Sequence, residues 1–181
     1  APEGFTPTEY PDVSQARPVV VVGAGPGGLF AALRLIELGL RPIVVERGKD
    51  VHRRKKDLAR IRIEQRVDPE SNFSFGEGGA GTFSDGKLTT GVNDERIGYV
   101  LEQFALHGAP QEITYRAKPH IGTDQLRKVV VEMRNAILSM GGTILFDTCL
   151  MGLEYNRNDN NAFLTASSET GEFPTVQYKG S

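Results

Sequence analysis

Apolar positions along the chain follow two different periods. Val19-Val20-Val21-Val22 is an unbroken β-branched run, and Pro18 to Ala24 is the longest apolar stretch. A run of that kind suits a strand covered on both faces of a parallel sheet. After a glycine turn, Leu29 to Leu38 carries apolar residues at helical spacing and stops at Gly39, a natural C-cap residue. Pro42-Ile43-Val44-Val45-Glu46 is a second strand-sized run. Strand, turn, helix and strand within about thirty residues is the size of a β-α-β unit.

Further along, 51–66 reads as a charged helix, and Asp94 to His107 as a helix stopped by Gly108-Ala109-Pro110. Thr123 suits the N-cap of a helix running to Met140 and closed by Gly141-Gly142. Thr143 to Phe146 is a third strand, within a segment placed at 143–148. Leu150 to Tyr155, Ala162 to Ala166 and Thr175 to Tyr178 read as three antiparallel strands, a meander over 150–179. Asn158-Asp159-Asn160-Asn161 and Ser167 to Gly171 supply its turns. The first 17 residues, with Pro2, Pro7 and Pro11, lack apolar periodicity and read as an extended proline-rich tail. That tail is either without fixed structure or an arm that orders on a partner.

Composition narrows the function classes. The 181 residues are 39% hydrophobic, which suits one globular domain with a core, or a domain plus a tail. A net charge of -2 gives no global basic signature for nucleic acid. One stretch departs from this balance: 41–66 holds ten Lys/Arg against four acids. Such a run is first a solvated helix face and second a surface for a protein partner or a phosphate. The single cysteine, Cys149, excludes an internal disulfide framework and a cysteine-cluster metal site, so no metal is expected. It fits a reducing compartment. No apolar run reaches membrane-spanning length and no signal peptide is visible. The start at Ala1 rather than Met suggests a processed precursor or a trimmed chain.

The chemistry concentrates in Gly23-Ala24-Gly25-Pro26-Gly27-Gly28, a G-x-G-x-x-G pattern between a buried-type strand and a helix. Alone the pattern is weak; its context here is specific. Gly23 permits the tight turn, and Gly25 lets backbone approach a pyrophosphate where a Cβ would clash. Gly28 and Ala32 let helix and strand pack closely. The helix N-terminus then offers free N–H groups and a partial positive charge to phosphates. Glu46 ends the second strand 23 residues after Gly23, near the spacing of the acid that binds a ribose. Its carboxylate would repel a 2′-phosphate, so NADP is disfavoured at this site. The pattern does not separate FAD from NAD.

A resemblance does separate them. From Arg17 to about Leu153 the chain resembles a family of uncharacterised FAD-dependent dehydrogenases of bacteria and plant plastids. The matching stretches are Glu46-Arg47-Gly48, the glycine-rich run from Glu70 to Leu88, and Lys118-Pro119-His120-Ile121-Gly122-Thr123-Asp124. More broadly the layout is similar to the glutathione-reductase-type flavoprotein fold. The expected fold is therefore α/β: a Rossmann-type parallel sheet with a three-stranded antiparallel β-meander, a truncated glutathione-reductase-like FAD-binding domain. It would span 18–181, with the β-α-β at 18–47 and a glycine-rich cofactor segment at 70–91.

The resemblance implies roles for particular residues. Gly23, Gly25, Pro26, Gly27 and Gly28 would line the FAD pyrophosphate. Glu46 would hold the adenosine ribose, with Arg47 beside the adenine. Gly78, Gly79, Ala80, Gly81 and Thr82 would approach the pyrophosphate, ribityl and flavin side. Leu150 would contact adenine through its backbone. Family members run much longer and carry a further strand that closes over FAD, so the expectation is an N-terminal fragment; the alternative is a natural truncation.

Other candidates carry less. His120 could relay protons near the flavin or make a structural hydrogen bond, and Lys87 could sit near the flavin or form an ion pair. His52 and His107 read as surface. Cys149 has no C-x-x-C partner, so a disulfide-reductase mechanism is unsupported. The function expected is an FAD-binding oxidoreductase with NAD(P)H or a reduced substrate as donor and an unnamed small-molecule acceptor. Its home would be a bacterial cytoplasm or the plastid stroma. The alternatives are a non-catalytic Rossmann subunit of a larger assembly, contacting partners through the N-terminal arm and the basic helix, and an NAD-only module.

Overall fold

The computed structural model describes residues 10–116, 118–156, 161–168 and 176–179. Residues 1–9 of the expected tail, with Pro2 and Pro7, lie outside the described residues. So do 157–160 and 169–175, where most of the two meander turns and Thr175 fall.

The fold is mixed α/β. Strands β1 (Pro18–Val22), β2 (Arg41–Val45) and β3 (Thr143–Leu145) form a parallel sheet in the order β1-β2-β3. Helix α1 (Pro26–Glu37) crosses from β1 to β2. Its stripe of Leu29, Ala32, Leu33 and Ile36 is buried, at the i, i+3, i+4, i+7 spacing that turns one helix face to a core. Each large member of the stripe is worth about 1.5–3 kcal/mol when fully buried. Leu38 ends the helix and Gly39 follows at φ 72, the left-handed position that glycine fills without strain.

The β-branched run of β1 is only half-buried, and Val22 is 62% exposed. The expected two-sided cover goes instead to β2, whose Val44 and Val45 are buried. The reason is position: among the described strands β1 lies at an edge of the sheet and β2 at its centre.

Helix α2 (Val51–Glu64) is capped by Asp50, whose side chain accepts from the amides of His52 and Arg53. Helices α3 (Arg96–Leu106) and α4 (Thr123–Ser139) follow, and α4 packs on α1 and β3. Thr123 is not the N-cap expected of it. Gly122 holds that place, and the Thr123 hydroxyl donates to the Ser84 carbonyl at 2.6 Å. A second sheet, β4 (Thr148–Asn156), β5 (Asn161–Ser168) and β6 (Val176–Lys179), pairs antiparallel in chain order.

The proline-rich stretch is not a free tail up to residue 17. Val13 is 1% exposed within the core, and its amide donates to the Met140 carbonyl at 2.7 Å. The Tyr10 hydroxyl donates to Gln103 at 2.8 Å. One apolar residue among prolines has no period to reveal it, yet it fills the space beside the end of α4. His107 also differs from expectation. It is buried, with Nδ1 2.7 Å from the Gln103 carbonyl, and burial lowers its pKa.

Candidate functional site

The turn between β1 and α1 is shaped by its own backbone. Gly23 sits at φ 94, and its amide donates to the Val45 carbonyl at 2.7 Å. A Cβ on Gly28 would run into the carbonyl oxygen of Gly23, so helix and strand can approach this closely only with glycine there. Ala32, one turn on, is fully buried. Gly25 is the N-cap, with nothing within 4 Å of where its Cβ would stand. Pro26 at the first helical position has no amide to satisfy, and no side chain caps the turn. An uncapped helix end thus meets open space over a residue with no side chain, a combination suited to an anion.

Glu46 lies beside this turn, 5% exposed. Its Oε2 accepts from the Ala24 amide at 2.7 Å and its Oε1 from the Gly48 amide at 2.8 Å. The carboxylate therefore ties the loop after β1 to the loop after β2. An ionised carboxylate has about four acceptor positions, so these two bonds leave capacity for a ribose hydroxyl. Arg47 pairs with Glu70, donating through Nε at 2.7 Å and NH2 at 2.8 Å, with its guanidinium 4.6 Å from the Phe75 ring centre.

A cleft of about 250 Å³ opens here. Gly23, Gly25, Glu46, Arg47, Gly79 and Leu150 all line it, with Phe75 and Cys149 on the walls. Leu150 arrives because β4 begins at Thr148, directly after Asp147 and Thr148 donate to the carbonyls of Gly48 and Glu46. Pro26, Gly78, Gly81 and Thr82 line a second cavity of about 140 Å³ with Leu29, Phe30, Leu88 and Val130. Pro26 marks the boundary: a Cβ on Gly79 would stand 3.2 Å from its Cδ. Gly27, Gly28 and Ala80 line neither cavity. Gly28 acts through packing, and Ala80 opens a short 3-10 turn, Ala80–Phe83. A larger groove of about 620 Å³, between α2 and α4, contains none of the expected residues.

Three charged residues central to this region carry no site role in the sequence reading. Arg54 of α2 is fully buried, not part of a solvated face. Its guanidinium donates to the carbonyls of Glu77 and Gly79 through NH1, and of Asn72 and Phe73 through NH2. Desolvation lowers its pKa to about 10 despite the carboxylates of Glu46 and Glu77 nearby. Glu77, also fully buried, accepts from the Val51 amide at 2.8 Å and from Arg134 at 3.0 Å. Burial raises its pKa. The signal for Arg54 was present: it shares the i, i+3, i+7 face of Val51 and Leu58. Glu77 and Arg134 carried none. Lys87 forms an exposed ion pair with Asp85 at 2.8 Å, and His120 is exposed.

Residues 16–61 match the family model of the FAD binding domain. The matched stretch holds the glycine turn, α1, Glu46 and Arg54. An uncharacterised protein of Clostridium beijerinckii is 49% identical over 141 residues, covering 78% of this chain and 26% of that protein. The digeranylgeranylglycerophospholipid reductase of Methanothrix thermoacetophila is 32% identical over 93 residues, covering 47% of this chain and 24% of that protein. The chain thus spans about a quarter of the length of these curated relatives. Among solved structures, the THI4 protein of Thermovibrio ammonificans overlaps with a TM-score of 0.49 at 16% identity, covering 91% of this chain and 54% of that one. A flavoprotein/dehydrogenase from Cytophaga hutchinsonii overlaps at 0.48 and 13% identity, covering 90% and 37%. At these levels neither overlap carries functional weight. Among the described residues no helix is long and apolar enough to cross a membrane.

Proposed function

We propose that this chain holds the ADP half of FAD for an oxidoreductase, with the diphosphate on the uncapped end of α1 above Gly25. The single observation that carries this is the open space at the Gly25 Cβ position beside the buried Glu46 carboxylate. The match of 16–61 to the FAD binding domain supports it independently. Bound there, FAD would supply electron and hydride transfer through its isoalloxazine. The chain's own residues bind and orient. The first-turn amides of α1 face the diphosphate charge, and Glu46 uses its spare acceptor positions on the ribose hydroxyls. Its negative charge disfavours a 2′-phosphate. Arg47, braced by Glu70 and Phe75, and the backbone of Leu150 flank the adenine. Pro26, Gly78, Gly81 and Thr82 face the ribityl and flavin side. The same proposal includes the finer family reading, an FAD-dependent dehydrogenase of glutathione-reductase type with a nicotinamide cofactor as donor.

Cys149 offers a direct test because it is the chain's one cysteine and stands in the cleft wall. Titration with FAD, and separately with ADP, should saturate and slow alkylation of Cys149 in step with occupancy. Unsaturable FAD binding, or a labelling rate indifferent to FAD and ADP, would contradict the reading.

A further inference from the structure

The glycine-rich stretch that walls the cleft has little regular structure of its own. Between Asp68 and Ala80 it forms neither helix nor strand. Four of its carbonyls, at Asn72, Phe73, Glu77 and Gly79, converge on one guanidinium, at 2.9, 3.3, 2.5 and 3.0 Å. That guanidinium belongs to Arg54, in the middle of α2 and fully buried. Gly76 makes the passage possible: at φ 108, its missing side chain leaves room for the Arg54 stem. The contact is returned in the opposite sense. The Glu77 side chain accepts from the first amide of α2, at Val51, while the Glu77 amide donates to the Lys49 carbonyl at 3.0 Å. The loop and the start of α2 therefore hold each other.

The loop also reaches the dinucleotide turn. The Gly78 amide donates to the Ala24 carbonyl at 2.7 Å, and Gly79 packs against Pro26 and Gly25. Gly79 is at once a partner of Arg54, a lining residue of the cleft and the neighbour of the first helical residue of α1. A continuous set of contacts runs from α2 through Arg54 and Gly79 to the rim of the cradle. We propose that Arg54 is a positioning residue for the cofactor: its side chain sets the 72–79 backbone so that Gly79 borders the cradle while the space above Gly25 stays open. This rests on the FAD reading above. Lysine cannot take the place of arginine here. Its ammonium is a single point with three donors, whereas the planar guanidinium presents forked donors to carbonyls lying in different directions.

The test uses the full chain with Arg54→Lys and Arg54→Ala, reading FAD affinity by flavin fluorescence and backbone order by amide hydrogen exchange. The expected result for Arg54→Lys is FAD binding at least tenfold weaker, with faster exchange at 72–79 and unchanged protection in α1 and β2. Added methylguanidinium should restore FAD binding to Arg54→Ala, which a general loss of packing would not allow. Should Arg54→Ala fail to fold, the Arg54→Lys comparison still decides. Wild-type FAD affinity in Arg54→Lys, or exchange at 72–79 that does not change, would overturn the proposal. If the wild-type chain binds no flavin, the functional reading fails by itself. Exchange at 72–79 then decides the clamp alone: faster in Arg54→Lys supports it, and unchanged overturns it.

Discussion

The turn at 23–28 and the segment at 70–91 are both glycine-rich and both border the cleft, yet they take their shapes from different sources. The first is defined by adjacent backbone: strand, tight turn and helix, with Gly28 against Gly23 and Glu46 holding the Ala24 amide. The second is arranged around a side chain from another element, Arg54, which gathers its carbonyls. Glycine does different work in the two. In the first it removes side chains so that backbone and ligand can approach. In the second, at Gly76, it makes room for an arginine. The first arrangement is local; the second depends on packing at a distance.

The largest effect should come from the first turn. Gly28→Ala places a methyl group against the carbonyl of Gly23, and neither helix nor strand can move aside. Overpacking of this kind costs about 3 kcal/mol, read as a lower urea midpoint. Glu46→Gln should cost about 2 kcal/mol, because an amide presents hydrogens where one of the two backbone N–H groups needs an acceptor. Gly76→Ala tests the second region by the same logic. The obstacle there is the buried stem of Arg54, whose guanidinium is held by four carbonyls, and the backbone is at φ 108. A loss of about 2 kcal/mol is expected, with faster amide exchange at 72–79 that Gly28→Ala does not cause. Unchanged exchange at 72–79 in Gly76→Ala would break the distinction between the two turns.

Glu77 gives a subtler handle on the second region. Burial raises its pKa above the ordinary 4.5, so the folded chain keeps this proton more firmly than the unfolded chain. Its contribution to stability is present below pH 4.5 and is lost as pH rises through the folded value, with a slope of at most about 1.4 kcal/mol per pH unit. Denaturation midpoints of the wild type and Glu77→Gln, compared upward from pH 4, should show that declining contribution in the wild type only.

The same contrast explains what was legible in the sequence. The β-α-β unit was readable because its signals are local: a β-branched run, helical spacing from Leu29, Gly39 past the helix end and Glu46 at the right distance. Of the six expected residues that meet in one cleft, Gly23, Gly25, Glu46 and Arg47 come from the turn and the end of the strand beside it, while Gly79 and Leu150 arrive from segments distant in sequence. Arg54, Glu77, Val13 and His107 were misread or missed because their burial is decided by elements distant in sequence. A charged residue gives no sign of burial until its apolar neighbours at helical spacing are read with it. Thr123 shows the limit on the other side: its residue type suits a cap, but a carbonyl from a distant loop claims its hydroxyl.

The central claim is that a diphosphate lies above Gly25, and Gly25→Ala tests it most directly. The space at that position is empty of protein, and at φ -70 alanine fits the backbone, so stability should stay within about 0.5 kcal/mol of wild type. FAD and ADP affinity should fall at least tenfold in the same folded variant. Equal affinity in Gly25→Ala and wild type would place the cofactor elsewhere and contradict the claim.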